Sequence, residues 1–216
     1  MKIILRILVF LFISTCNGQL LSKSLSINQK VVAINDTVFV DIKDFDATFV
    51  LDMKYATTSN FLKTKVYECA SCYLRYKTVV KLLKISKILS QQGVKIKLFD
   101  CYRPLDVQKK MWRLVSNPNY VANPAKGSIH NKGCAIDMTL VDASGADFDM
   151  GTPFDFFGIE ASHNYQKMPA NVKNNRIFLK NIMLSNGFEA FDSEWWHYNL
   201  REGLNEKNAN FKWQCN

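Results

Sequence analysis

Histidine is scarce in this chain, with three among 216 residues. The sequence has no internal repeat and no low-complexity tract, which excludes solenoids and fibrous arrays. Its one Cys-x-x-Cys, Cys69-Ala-Ser-Cys72, has no second pair at zinc-ribbon spacing, which argues against a structural zinc there. Acidic residues are outnumbered, 19 against 28 basic, giving a formal net charge of +9. The lysines are scattered, as in Lys77, Lys81, Lys84 and Lys87, with few aromatics between them. That is the pattern of solvated helix faces and argues against a nucleic-acid partner. The leading apolar run, Ile7 to Ile13, is too short for a stable membrane span.

That run follows a basic start, Met1-Lys-Ile-Ile-Leu-Arg6, and precedes the small polar stretch Ser14-Thr-Cys-Asn-Gly18. The order is that of a secretory signal, so residues 1–18 are expected to be a signal peptide and the protein to be exported, periplasmic or secreted. Ile13-Ser-Thr-Cys16 also loosely matches a lipoprotein cleavage box, which leaves a lipid anchor at Cys16 as the alternative. Loss of Lys2 and Arg6 takes two from +9, so the mature chain stays basic at +7. Five cysteines then remain in a compartment that favours disulfides. Their pairing is not fixed by sequence, although Cys101 and Cys134 flank two segments argued below to carry active groups and are expected to lie close.

After a polar lead-in over residues 19–44, a single domain is expected over 45–216. Val38–Ile42 and Ala47–Leu51 read as strands or extended segments. Apolar residues at 79, 80, 83, 85, 88 and 89, closed by Gly93, predict a helix over 76–92. Val94–Leu98 alternates apolar and charged residues and predicts a strand with one wet face. Pro104 suits the first turn of a helix reaching about Val115. Gly133–Leu140 reads as a strand, 171–186 as a helix, and 188–190 with 195–200 as a closing strand pair. This order predicts an α+β domain, a central antiparallel sheet flanked by helices.

Two of the three histidines stand in the stretches with most chemical content. Ser128-Ile-His-Asn-Lys-Gly-Cys-Ala-Ile-Asp137 offers His130 and Asp137, and Glu194-Trp-Trp-His197 offers a second imidazole and a free carboxylate. A hydrolytic zinc site needs three protein donors and one open position, which two histidines and one carboxylate supply. Gly133, Ala135 and Asp137 share one face of the predicted strand, leaving room around the carboxylate. Glu194 and His197 are three apart, so a regular strand would point them to opposite faces. A turn or bulge is needed to bring both to one centre. The chemistry then favours His197 as third ligand and Glu194 as uncoordinated general base, since the attacking water needs a proton acceptor and the leaving amine a donor.

Ser128-x-His130-x-x-Gly133-x-Ala135-x-Asp137 with Glu194-x-Trp196-His197 resembles the VanX-type D-alanyl-D-alanine dipeptidases of the M15 peptidase family. The resemblance extends to Lys54-Tyr-Ala-Thr-Thr-Ser-Asn-Phe61, Phe99-Asp-Cys-Tyr-Arg-Pro104, Tyr120-Val-Ala-Asn-Pro124, Asp149-Met-Gly-Thr-Pro-Phe-Asp155 and Ser185-Asn-Gly-Phe-Glu-Ala-Phe191, covering about residues 45–201. It implies one Zn2+ per chain on His130, Asp137 and His197, with Glu194 as base and acid. It implies Arg103 as the group that stabilises the transition state, which agrees with a guanidinium aimed at a developing oxyanion. Ser128 and Asp155 correspond to positions near the charged ends of a dipeptide, and Tyr55 and Asn60 to pocket or packing positions. Cys101 and Asn131-Lys132 depart from the residues more familiar at those places, without removing a ligand.

The expected partner is therefore D-Ala-D-Ala or a related dipeptide; the oligomeric state is not legible. Two alternatives remain open at this level: a D,D- or L,D-carboxypeptidase trimming peptidoglycan stem peptides, and a non-catalytic module binding wall peptides.

Overall fold

The computed structural model describes residues 33–215. The expected signal peptide, Cys16 and most of the expected lead-in lie outside these residues. Seven strands and three α-helices follow one another as β1 (Phe39–Asp41), β2 (Val50–Leu51), β3 (Tyr73–Arg75), α1 (Tyr76–Ser90), β4 (Lys95–Asp100), α2 (Leu105–Leu114), β5 (Ala135–Val141), α3 (Ala170–Ser185), β6 (Phe188–Phe191) and β7 (Glu194–Leu200). The fold is α+β, as the sequence predicts. Strand β1 sits inside the stretch read as lead-in and pairs antiparallel with β3, so the folded unit includes residues before 45.

The main sheet has the order β2-β4-β5-β7-β6. Its four strands β4, β5, β7 and β6 are antiparallel, as expected, whereas β2 joins β4 in parallel. The sheet is thus mixed and not purely antiparallel. The reason lies in connectivity: the chain from β2 to β4 runs through β3 and α1, a crossover long enough to bring the strand back in the same direction.

Helix α1 buries Val79, Leu82, Ile85 and Leu89 along one stripe and packs against β3 and β4. Val80 and Ile88, apolar positions of the predicted helix, face outward at 42% and 36% exposure. The helix stops short of Gly93, whose φ of +69° suits the reversal into β4. Helix α3 packs on β6 and β7 through Leu179 and Met183. Between the layers lie Leu98, Met111, Phe188, Trp196 and Tyr198, all 1% exposed or less. Each of the aliphatic and phenyl members contributes roughly 1.5–3 kcal/mol by leaving water.

Among the described residues two disulfides are present, Cys69–Cys215 and Cys72–Cys101, and Cys134 is a buried free thiol. Cys101 does not bridge Cys134: just past β4 the Tyr102 amide donates to the Tyr73 carbonyl of β3, which sets Cys101 beside Cys72. Cys69–Cys215 holds the C-terminal segment across the β1–β3 edge, where Phe211 stacks on Phe39 and Trp213 on Tyr73.

Candidate metallopeptidase site

Register alone sets two of the expected ligands side by side. Asp137 in β5 is the cross-strand partner of His197 in β7, and on its other side pairs with Asp100 at the end of β4. Asp100, Asp137 and His197 therefore form one row across three strands. The third donor comes from outside the sheet. Ile129–Lys132 form a 3-10 turn capped by Ser128, whose hydroxyl accepts from the His130 amide at 3.2 Å. Gly133 closes that turn at φ +71°, where an added Cβ would sit 2.3 Å from the Phe39 ring, so only glycine lets β1 pack here.

The bulge required by the Glu194–His197 spacing is present in β7. Ala190 pairs with Tyr198, yet the next residue, Phe191, pairs with Glu194, so Trp195, Trp196 and His197 occupy the excess. Glu194 and His197 consequently approach, with Oε2 4.0 Å from Nδ1. Both tryptophans are buried; Trp196 walls the cleft and the Trp195 indole donates to Thr152 Oγ1 at 2.8 Å.

His130 Nε2 is 3.2 Å from His197 Nδ1 and 3.3 Å from Asp137 Oδ2, and His197 Nδ1 is 2.9 Å from Asp137 Oδ1. Tetrahedral zinc with nitrogen and oxygen donors spaces them by roughly 3.3 Å, so the three atoms fit a single first-row divalent ion. Their other ring nitrogens are committed: His130 Nδ1 faces the Cys101 carbonyl at 2.7 Å and His197 Nε2 faces Asn199 Oδ1 at 2.8 Å. A carbonyl only accepts, so His130 carries its proton on Nδ1 and turns a bare Nε2 to the centre.

The charges follow from burial. Burial works to lower the His197 pKa, but the hydrogen bond and charge of Asp137 outweigh it and raise it to about 9. Burial works to raise Asp137, and the two imidazoles hold it well below the usual carboxylate range. Burial raises Glu194 and, with the charge of Asp137, raises Asp155 further.

Arg103 is 7% exposed, its guanidinium 2.5 Å from Asp100 Oδ2 and donating to Gln108 Oε1 at 3.0 Å. It lies over the Tyr55 ring at 5.3 Å. The Tyr55 hydroxyl donates to Asp155 at 3.0 Å, and Asp155 holds a left-handed φ of +59°. All eight residues expected from the sequence, His130, Asp137, His197, Glu194, Arg103, Ser128, Asp155 and Tyr55, line one cleft of about 520 Å³. Asn60 does not; its amide donates to the carbonyls of Lys54, Thr57 and Thr64 and shapes its own loop.

Sequence reasoning missed Asp100, Gln108 and Asn199. Asn199 was legible in principle, two residues beyond His197 on the same strand face. Asp100 had a signal too, a carboxylate at the end of an apolar strand three residues before Arg103. The Gln108 contact depends on how α2 is seated and left no trace.

An open cleft with three clustered metal donors beside an uncoordinated carboxylate is the arrangement of a metal-dependent hydrolase. A family model described as D-Ala-D-Ala dipeptidase, Peptidase_M15, matches residues 35–214. The D-alanyl-D-alanine dipeptidase of Escherichia coli (strain K12) is 35% identical over 165 residues, covering 76% of this chain and 85% of that protein. The Enterococcus faecium enzyme of the same name is 33% identical over 172 residues, covering 70% and 85%. The chain belongs to the D-Ala-D-Ala dipeptidase family of M15 peptidases. Among solved structures, a VanY D,D-pentapeptidase in complex with Zn(II) aligns with a TM-score of 0.41 and 13% identity over 60% of this chain and 74% of that one.

Proposed function

We propose that the protein is an exported, zinc-dependent D,D-dipeptidase that cleaves D-Ala-D-Ala and similar short D-amino-acid dipeptides. The observation that carries this reading is the convergence of three metal donors, the free Glu194 carboxylate and the buried Arg103 guanidinium on one cleft.

His130 Nε2, Asp137 and His197 Nδ1 would hold one zinc ion. Zinc supplies a Lewis acid that polarises the scissile carbonyl and makes water acidic enough to attack at neutral pH. The residues of the chain do the rest. Glu194, held above the usual carboxylate range by burial, takes the proton of the attacking water and returns it to the leaving amine. Arg103, fixed by Asp100 and Gln108 before substrate arrives, faces the oxygen on which negative charge develops. Asp155, steadied by Tyr55, would receive the substrate amino group, and Ser128, on the same cleft, would serve the substrate carboxylate.

Export is supported by the leader pattern and by two disulfides, which persist in oxidising compartments. An exported enzyme meets peptidoglycan fragments, so wall turnover or nutrition fits better than a cytoplasmic role. The test is a panel of substrates differing in chirality, length and amino-terminal blocking. Cleavage of free D,D-dipeptides, with N-acetylated and longer peptides refused, is expected; equal cleavage of blocked stem peptides would make it a carboxypeptidase.

A further inference from the structure

Asn131 carries none of the roles assigned above and does not line the cleft, yet it is fully buried. All four of its polar groups are engaged. Its side-chain Oδ1 accepts from the Ser128 amide at 2.7 Å and its Nδ2 donates to the Arg103 carbonyl at 2.7 Å. Its own amide donates to the Ser128 carbonyl at 3.0 Å, and its carbonyl accepts from the Ala209 amide at 2.8 Å. The Arg103 amide in turn donates to the His130 carbonyl at 3.0 Å, and the Leu105 amide to the Ala209 carbonyl at 3.1 Å.

Three segments far apart in sequence thus meet on one residue: its side-chain amide joins the turn bearing Ser128 and His130 to the strand exit bearing Arg103, and its backbone carbonyl holds the C-terminal segment tied down by Cys69–Cys215. A planar amide with a donor and an acceptor at fixed separation spans the turn and the arginine backbone. A single hydroxyl can donate and accept, but it cannot reach partners that Asn131 meets with two separate atoms. We infer that Asn131 is a positioning residue that sets the register of the Arg103 guanidinium against the metal-bearing turn, so that transition-state stabilisation depends on it while metal binding does not.

The inference rests on the proposed dipeptidase reading. A displacement near 1 Å at a reacting centre costs about 100-fold in rate, so partial loosening of this brace should cost less. The test uses the mature zinc-loaded protein and a phosphinate dipeptide, a tetrahedral analogue whose binding can be measured in inactive variants. Asn131→Ser and Asn131→Asp are each made alone and together with Arg103→Lys. Serine shortens the brace; aspartate keeps the Ser128 contact and replaces the donor to Arg103 by a charged acceptor that faces the Arg103 carbonyl.

The expected result is a roughly tenfold weaker phosphinate affinity and a similar fall in kcat for either variant, with KM and bound zinc close to wild type. In the Arg103→Lys background the same change should cost less than about twofold, because coupled residues are not additive. An equal loss in both backgrounds, or a loss that follows zinc content, overturns the inference. If serine disrupts folding, aspartate decides the matter, and failure of both to fold assigns Asn131 a structural role only. A wild-type protein that neither binds the phosphinate nor cleaves D-Ala-D-Ala defeats the dipeptidase reading instead, a result recognisable before any variant is made.

Discussion

The Nδ1 of His130 lies 2.7 Å from the carbonyl oxygen of Cys101, a residue disulfide-bonded to Cys72. This one contact fixes the tautomer of a metal donor and links it to a covalent crosslink between β3 and the exit of β4. Removing the crosslink in a Cys72→Ser, Cys101→Ser protein should cost about 3.6 kcal/mol of stability for a sequence separation of 29 residues. Zinc affinity should also fall, by about tenfold, because the carbonyl that orients His130 is no longer held. Thermal denaturation and competition with a chelator read the two effects separately. Unchanged affinity would mean that the β-strand alone holds the carbonyl in place.

Asn199 plays the corresponding part for His197. Its Oδ1 accepts from Nε2 at 2.8 Å, leaving Nδ1 for the metal. Asn199→Ala is expected to weaken zinc binding by about 10- to 100-fold while leaving the fold intact, as loss of such outer partners generally does. Zinc content after dialysis against a weak chelator measures it.

Glu194 and the metal donors should separate cleanly. Glu194→Gln keeps the shape and removes the proton acceptor, so bound zinc is expected to remain near one per chain while kcat drops by about 100-fold or more. His130→Ala is expected to lose the metal itself. Metal analysis beside kinetics on the same samples distinguishes the two.

The third histidine, His163, does not line the cleft and gives a pH dependence of its own. His163 packs against Tyr198 and its Nε2 is buried without a partner. Burial, with the charges of Lys180 and Arg176, lowers its pKa from 6.5 to about 4. The unfolded chain therefore binds a proton more readily than the folded one. The stability held by neutral His163 is complete above pH 6.5 and is lost as pH falls toward 4. Against His163→Gln, the wild type should lose its advantage in Tm across that window, and a constant difference between the two proteins would contradict the assignment.

Much of this site is written locally, and the remainder depends on pairing between distant strands. The periods of residues 79–89 and 94–98, and the glycines at 93, 133 and 187, mark their elements because they reflect backbone geometry over a few residues. The clustering of His130, Asp137 and His197 was legible because so few histidines are present and their spacing is distinctive. The approach of Glu194 to His197 was legible only as a requirement, since the bulge depends on where β6 pairs with β7. The disulfide partners were hidden for the same reason: Cys101 meets Cys72 because β3 lies beside the exit of β4, a tertiary fact. Strand β2 runs parallel to β4 owing to the route of the chain, which no local pattern records. Asn131 looked like an unremarkable substitution inside a motif, and its importance emerged only from its four buried partners.

The most direct test of the account is release of D-alanine from D-Ala-D-Ala by the metal-free protein as zinc is added back. The donor cluster His130, Asp137 and His197 predicts that D-alanine formation rises in proportion to zinc and saturates at one ion per chain. No D-alanine at saturating zinc, or the same rate without any metal, would contradict it.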